Sequence, residues 1–227
     1  MDRKIILSAD GSHTVQLPEE GITYHSHHGA VQESRHVFLQ AGLHYLIDKK
    51  LFTGTPIHIF EMGFGTGLNA LLTSLEAEKL ALPVYYTAVE TAPLTTNEAS
   101  LLNYPAVVGD ATVFEKLHQA AWNEAATIHP YFTVHKHLQP LQTFSTTQRF
   151  HGIYYDAFAP GAQPELWTEA VFKKLFDLMQ PGGVLVTYCA KGVVRRTLQA
   201  AGFTVEKIPG PPGKREIVRA TANSIKN

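Results

Sequence analysis

The run Ile57-His58-Ile59-Phe60-Glu61-Met62-Gly63-Phe64-Gly65-Thr66-Gly67-Leu68-Asn69 decides how the rest of the chain is read. Its apolar start reads as a buried strand, its three alternating glycines as a tight turn, and Asn69 to Leu80 as the helix that follows. Glycine at every second position permits dihedrals closed to other residues and leaves no side chain between the main chain and a ligand. The stretch is therefore read as a cofactor loop. A dinucleotide fingerprint of the G-x-G-x-x-G kind needs glycine where Leu68 stands. Glu61, just ahead of the turn, also argues against a pyrophosphate, because a carboxylate repels phosphates and attracts an ammonium or a sulfonium. The alternative is an ordinary glycine-rich turn between a strand and a helix.

Downstream, Val84 to Val89 reads as a second buried strand ending in Glu90, the place from which a nucleotide-binding fold holds ribose hydroxyls. Helices are expected over Thr95 to Leu102 and Thr112 to Ala125, with Gly109-Asp110 as a turn between them. Tyr131 to Leu138 is the third strand, and Ile153 to Tyr155 the fourth, ending in Asp156. In a doubly wound sheet the first and fourth strands are neighbours at the reversal point, so Asp156 and the glycine loop face one crevice. That makes Asp156 the catalytic candidate; the alternative is a cap before the helix announced by Pro164 and Glu165. This helix runs to about Met179, Pro181-Gly182-Gly183 turns the chain, and Val184 to Ala190 is the fifth strand. Lys191 to Ala201 is a helix stopped by Gly202, and Phe203 to Ile208 and Arg215 to Arg219 form a terminal hairpin.

Upstream, Arg3 to Leu7 and His13 to Leu17 flank Asp10-Gly11, a dipeptide suited to a tight hairpin turn. An apolar face from Val31 to Ile47 predicts a helix. The expected organisation is an N-terminal hairpin-and-helix extension over residues 1–50, packed on a main domain over 51–227. His25, His27 and His28 invite a metal reading, but neither a cysteine nor a cluster of carboxylates stands nearby, so no metal is expected. On the helical pattern alone, Glu33 and Arg35 read as surface residues.

Composition agrees with one α/β domain and a modest addition: 227 residues, 44% apolar, with a single cysteine, Cys189, inside an apolar run. The charged start Met1-Asp2-Arg3-Lys4 and the short apolar run after it predict neither a leader nor a membrane span, hence a cytoplasmic location. Net charge is −1, unevenly spread: Lys191 to the end carries eight Lys or Arg against two acids, and the rest eleven against eighteen. A basic final quarter is suited to nucleic acid, or is simply a solvated tail.

The pattern E-x-G-x-G-x-G resembles the first motif of methyltransferases that use S-adenosylmethionine (SAM). Taken with S-H-H-G-A-V-Q-E-S-R-H-V-F-L (26–39), Y-D-A-F-A-P-G-A-Q-P-E-L-W (155–167), Pro181 to Gly183, V-V-R-R-T-L-Q-A-A-G (193–202) and G-K-R-E (213–216), it resembles one family in one order from about Tyr24 to Ala220. That family is the methyltransferase domain of the bacterial tRNA 5-methylaminomethyl-2-thiouridine biosynthesis enzyme. The resemblance implies a seven-stranded, doubly wound, Rossmann-like (class I) SAM-dependent methyltransferase fold. It also implies methylation of the 5-aminomethyl group of (2-thio)uridine at the tRNA wobble position. Its flavin-dependent oxidase domain would be absent, so a separate enzyme would supply the amine. Mapped on this sequence, the implied cofactor set is Tyr24, Glu33, Glu61, Gly63, Phe64, Gly65, Thr66, Gly67, Asn69, Glu90, Asp156, Ala157 and Phe158. Phe158 and Trp167 are candidates to wall the uridine or to pack as core aromatics. Lys191, Arg195, Arg196, Lys214 and Arg215 would meet tRNA phosphates. The family's Gly-Asp at the end of the third strand is replaced by His135-Lys136-His137, which leaves the adenine contact unassigned. Two rival readings are an aminopropyltransferase on the same fold, which would want further carboxylates near Asp156, and a non-catalytic RNA-binding protein, which would be expected to lose Glu61, Glu90 and Asp156.

Overall fold

The structure is a computed structural model that describes residues 3–19, 21–52, 54 and 56–223, so Met1 and Asp2 of the charged start lie outside the described residues. The chain opens with β1 (Lys4–Leu7), β2 (His13–Leu17) and β3 (Ile22–Thr23), a three-stranded antiparallel sheet. Leu7 pairs with His13, so the turn spans five residues and not the two that Asp10-Gly11 suggested. Asp10 organises it by side chain: its Oδ1 accepts from the Ser8 hydroxyl at 2.8 Å and the Ser12 amide at 3.0 Å, and its Oδ2 from the Gln32 amide at 2.9 Å. The expected long helix follows as α1 (Ala30–Ser34), a π-helical stretch Arg35–His44, and α2 (Tyr45–Asp48).

The main sheet has the order β10-β11-β9-β8-β4-β5-β7-β6. Its parallel centre is β4 (Ile57–Met62), β5 (Val84–Glu90), β7 (Phe132–Leu138), β8 (Phe150–Tyr155) and β9 (Met179–Thr187). β10 (Thr204–Pro209) and β11 (Glu216–Thr221) add an antiparallel hairpin beside β9. These are the seven expected strands; β6 (Ala125–His129), antiparallel on the β7 edge, makes the sheet eight-stranded. The helix expected to reach Ala125 therefore stops at Gln119 as α6 (Ala111–Gln119), capped at its start by Asp110, whose carboxylate accepts from Val113 N at 2.8 Å. The other helices are α3 (Leu68–Lys79), α4 (Thr96–Ser100), α5 (Tyr104–Val108), α7 (Glu169–Asp177) and α8 (Gly192–Ala200). Pro164 starts a short 3₁₀ turn, Pro164–Trp167, ahead of α7. Met179 already belongs to β9, and Pro181-Gly182-Gly183 is a bulge within that strand, because β8 pairs Phe150 with Met179 and then Gly152 with Val184. β9 ends at Thr187, short of the Ala190 expected from the apolar run.

Apolar helix faces cover both sides of the sheet, as a parallel centre requires. One core joins the long helix, α3 and α6 through Val37, Phe38, Leu71 and Leu117; it also takes in Val15 of β2, so the N-terminal sheet shares it. The other joins α7 and α8 through Phe172, Leu175, Val194 and Leu198, with Cys189 buried among them. The N-terminal sheet is tied across the carboxyl ends of the central strands. Arg3 donates to Pro93 O at 3.1 Å and to Glu98, and Asn103 accepts from His13 N and donates to Gly11 O, each at 2.8 Å. Among the described residues no helix is long and apolar enough to cross a membrane.

Candidate active site

β4 pairs with β5 on one side and β8 on the other, so the chain reverses direction of winding at β4 and a crevice opens beyond the ends of these strands. The glycine loop fills its floor. Gly63, Gly65 and Gly67 have φ of 88°, 52° and 73°, a region that side chains with a Cβ avoid, and a Cβ on Gly63 would lie 3.3 Å from Asp156 O. The loop thus turns within van der Waals reach of β8, and Gly67 opens α3. The cleft measures about 760 Å³ counted to its open mouth.

Ten residues of the cofactor set line it: Tyr24, Gly63, Phe64, Gly65, Thr66, Asn69, Glu90, Asp156, Ala157 and Phe158. Glu90 is anchored by main chain. Its Oε2 accepts from Gly65 N at 2.9 Å and its Oε1 from Thr91 N and Ala92 N at 2.8 and 2.9 Å. Tyr24 reaches in from beyond β3, its ring 3.4 Å from where a Gly65 Cβ would sit and edge-on to Phe158 at 5.1 Å between centroids. Asp156 accepts from Asn69 Nδ2 at 2.9 Å through Oδ2. Burial, reinforced by the negative charge of Glu33, pushes its carboxyl up to about 7, against the opposing pull of the Asn69 hydrogen bond and the Lys214 charge.

Three members of the set stand elsewhere. Gly67 serves the turn. Glu61 is 1% exposed and lies beneath the cleft, with Oε1 accepting the other hydrogen of Asn69 Nδ2 at 2.9 Å. Burial drives its carboxyl well above the ordinary range. Glu61 thus meets the Asn69 amide where the sequence suggested a ligand's cation. Glu33 is buried, contrary to the surface position its helical pattern suggested. Its carboxylate takes the Ser26 amide at 3.1 Å and the Lys214 ammonium.

That ion pair also corrects the expectation for Lys214. It is half-buried, turned inward onto Glu33, and lies 4.1 Å from the Tyr188 ring centroid, while Tyr188 Oη donates to Ala157 O at 2.9 Å. Lys191, Arg196 and Arg215 are exposed and Arg195 is half-buried. Trp167 is 6% exposed and stands behind the cleft, where its Nε1 donates to Phe158 O at 2.8 Å and its ring packs edge-on against Tyr155.

Leu17, His25, Met62, Leu68, Thr91, Ala92 and Gln163 also line the cleft, and the sequence reading had not singled them out as site residues. Gln163 Oε1 accepts from Phe158 N at 3.1 Å, which fixes the turn after Asp156. His25 is buried, its imidazole pushed down to about 4 by desolvation, with Nδ1 unpartnered. Among the described residues no group of three or more His, Cys, Asp or Glu side chains is placed to hold a metal ion. Asn69 Oδ1 is a second orphaned polar atom on this wall. Orphaned buried atoms beside an open volume are where a polar ligand fits. His135, Lys136 and His137 do not line the cleft. Lys136 is buried beside α6, donating to Leu117 O and His118 O at 2.7 and 3.1 Å, against the rings of Phe64 and Trp122.

Residues 113–223 match the model of a family described as S-adenosyl-L-methionine-dependent methyltransferase. A protein of Cupriavidus metallidurans named tRNA 5-methylaminomethyl-2-thiouridine biosynthesis bifunctional protein MnmC is 32% identical over 227 residues, covering 95% of this chain and 33% of that protein. A protein of the same name from Pseudomonas paraeruginosa is 30% identical over 224 residues, covering 88% of this chain and 32% of that protein. The chain thus spans about a third of the length of the curated relatives it matches. Among solved structures, MnmC2 from Aquifex aeolicus shares the fold with a TM-score of 0.77 at 24% identity, over 98% of this chain and 71% of that one. Spermidine synthase from Thermotoga maritima shares it with a TM-score of 0.60 at 15% identity, over 97% and 69%. The matched segment, residues 113–223, contains Asp156 and the strands that complete the sheet beside it, and the relatives extend the likeness over the glycine loop, so the chain is similar to SAM-dependent methyltransferases along nearly its whole length.

Proposed function

We propose that this chain methylates the amine of 5-aminomethyl-(2-thio)uridine at the wobble position of tRNA, giving 5-methylaminomethyl-2-thiouridine. The observation that carries the reading is the side-by-side placement of the glycine loop, tied to Glu90, and of Asp156, in a chain aligned along nearly its whole length with proteins named for that modification. SAM supplies an electrophilic methyl group on a sulfonium. The chain's own residues do the rest. Glu90 offers carboxylate lone pairs to ribose hydroxyls, and Gly63, Phe64, Gly65 and Thr66 form the floor beneath the cofactor. Tyr24, Ala157 and Phe158 wall the cleft and exclude water near the transfer.

Transfer to a primary amine needs a neutral nitrogen with its lone pair in line with the methyl group. Asp156 receives an N–H of that amine, stabilises the ammonium as charge develops, and takes its proton once the new C–N bond has formed. A carboxyl held near neutrality suits both tasks, since a substantial fraction of it is ionised near neutral pH and that form is still basic enough to take a proton. Exposed Lys191, Arg196 and Arg215 would meet tRNA phosphates, whereas Lys214 and Trp167 serve the interior. Residues 1–50 are read as an extension packed on a methyltransferase domain over 51–227. A cytoplasmic setting and a separate enzyme supplying the amine complete the proposal. The test is incubation with labelled SAM and tRNA carrying the 5-aminomethyl intermediate, followed by nucleoside analysis. Label in 5-methylaminomethyl-2-thiouridine is expected; label in a polyamine, or none in RNA, would overturn the reading.

A further inference from the structure

The sequence places Asn69 among cofactor contacts, and its Oδ1 stays unpartnered on the cleft wall, but both hydrogens of its side-chain amide are taken up inside the protein. Nδ2 gives one hydrogen to Glu61 Oε1 and the other to Asp156 Oδ2, each at 2.9 Å, and the residue is 3% exposed at the start of α3. Its amide orientation follows from its neighbours. The Asp156 carboxylate decides it, because when ionised it can only accept: the flipped amide would set the Asn69 carbonyl oxygen against it. Without this donor the Asp156 carboxylate would lose its direct hydrogen bond beside a second buried carboxyl, Glu61, which burial already drives well above the ordinary range, so Asp156 too would be pushed towards its neutral form.

We infer that Asn69 is a positioning residue for methyl transfer, clamping the Asp156 carboxylate between the cleft and buried Glu61 so that Oδ1 is the oxygen presented to the substrate amine. This rests on the methyl-transfer reading given above. The clamp fixes direction, because one oxygen of Asp156 is held by α3. It also fixes charge, because the Asn69 bond favours the ionised carboxylate against desolvation and the charge of Glu33. The other groups facing Asp156 are Lys214 from the β10–β11 loop, Glu61 from β4, Tyr86 from β5, Tyr104 from α5 and Tyr188 beyond β9. Burial raises all three tyrosines, which therefore stay neutral over the working range. Lys214 is already engaged with Glu33, so among these groups Asn69 is the one bonded directly to the carboxylate.

The experiment compares wild type, Asn69→Leu and Asn69→Asp in methyl transfer between about pH 5 and pH 9, with cofactor affinity measured by calorimetry on the same proteins. In both variants kcat should fall by about tenfold or more near pH 7, and the acidic limb of the kcat profile should move upward by about one unit or more. Cofactor Kd should stay within about threefold, less than the loss of a direct buried contact produces. A Kd weakened by about tenfold or more with an unmoved acidic limb would make Asn69 a cofactor contact and overturn the inference. If wild type itself transfers no methyl group to the amine, the functional reading fails, and carboxyl-carbon NMR of the free protein still decides the role of Asn69. Asp156 should then titrate near neutrality in wild type and higher in Asn69→Leu; identical titrations overturn the clamp. Should both variants fail to fold, the wild-type Asn69 side-chain amide signals must shift in step with Asp156, and independence of the two overturns it equally.

Discussion

Glu90 and Asp156 line the same cleft from its two sides, and the protein holds them by different means. Glu90 accepts three backbone amides at 2.8 to 2.9 Å, so its position is built into the loop and the strand end and cannot change without moving both. Asp156 is held by a side chain, with the charges of Glu33 and Lys214 close by, and its carboxyl sits near neutrality. A main-chain cradle suits a group whose task is to hold a fixed partner. A side-chain environment suits one that must change protonation, because burial and neighbouring charge can be adjusted one residue at a time.

The sharpest way to break this comparison is Asp156→Ala. If Asp156 meets charge that develops during transfer, the variant should bind cofactor with about wild-type affinity and lose roughly a hundredfold or more in kcat. A rate near wild type would reduce Asp156 to a turn residue. Glu90→Ala should do the converse: cofactor affinity weaker by about 1 to 3 kcal/mol, with kcat at saturating cofactor largely kept. Calorimetry showing unchanged affinity would leave Glu90 with a purely loop-shaping role.

The two sides were not equally legible. The glycine loop, Glu90 and Asp156 could be placed from sequence because each sits at a strand end, and chain position in a doubly wound sheet fixes which ends converge. What surrounds Asp156 could not. Glu33 and Lys214 are 181 residues apart and meet only when the terminal hairpin folds back over the long helix. Glu33 looked like a surface residue because a charged side chain within a polar stretch carries no mark of a distant partner. Glu61 misled for another reason: β4 is buried on both faces, so no alternation told which side of the sheet its carboxylate would take. β6 escaped notice because Ile128 is its one buried residue, too little for a period of two to register. Trp167, a plausible base-stacking residue in sequence, points into the α7 core and supports Phe158 through its indole N–H.

A carboxyl raised towards neutrality also leaves a trace in stability. The folded protein binds the Asp156 proton more tightly than the unfolded chain, whose carboxyl keeps its ordinary value near 3.8. The stabilisation tied to that proton is complete below the unfolded value and is lost as pH rises through about 7. Asp156→Asn removes the titration while keeping shape. Its thermal midpoint should therefore exceed that of wild type at alkaline pH, by on the order of 1 kcal/mol in stability, and the gap should close towards pH 4. Equal midpoints across that window would mean that Asp156 titrates as an ordinary surface carboxylate, and the contrast with Glu90 would lose its physical basis.

The smallest effect separates the basic residues at the rim from the one drawn inside. Lys191 and Arg196 are exposed on the N-cap and first turns of α8, which follows β9 on the edge where the cleft opens, whereas Lys214 is occupied by Glu33. A cation that neutralises a phosphate releases a counterion, so its removal should flatten the dependence of log tRNA affinity on log salt by somewhat under one unit. Lys191→Ala and Arg196→Ala should each show this, with a loss of only a few-fold in affinity at moderate salt and no change in cofactor binding. Lys214→Met should leave the salt slope alone. It strips a positive charge from beside Asp156 and leaves the Glu33 carboxylate unopposed, so the acidic limb of methyl transfer should move upward. A flattened slope in Lys214→Met with an unmoved pH profile would place this lysine on the RNA after all, and the ion pair with Glu33 would then be a contact that RNA binding breaks.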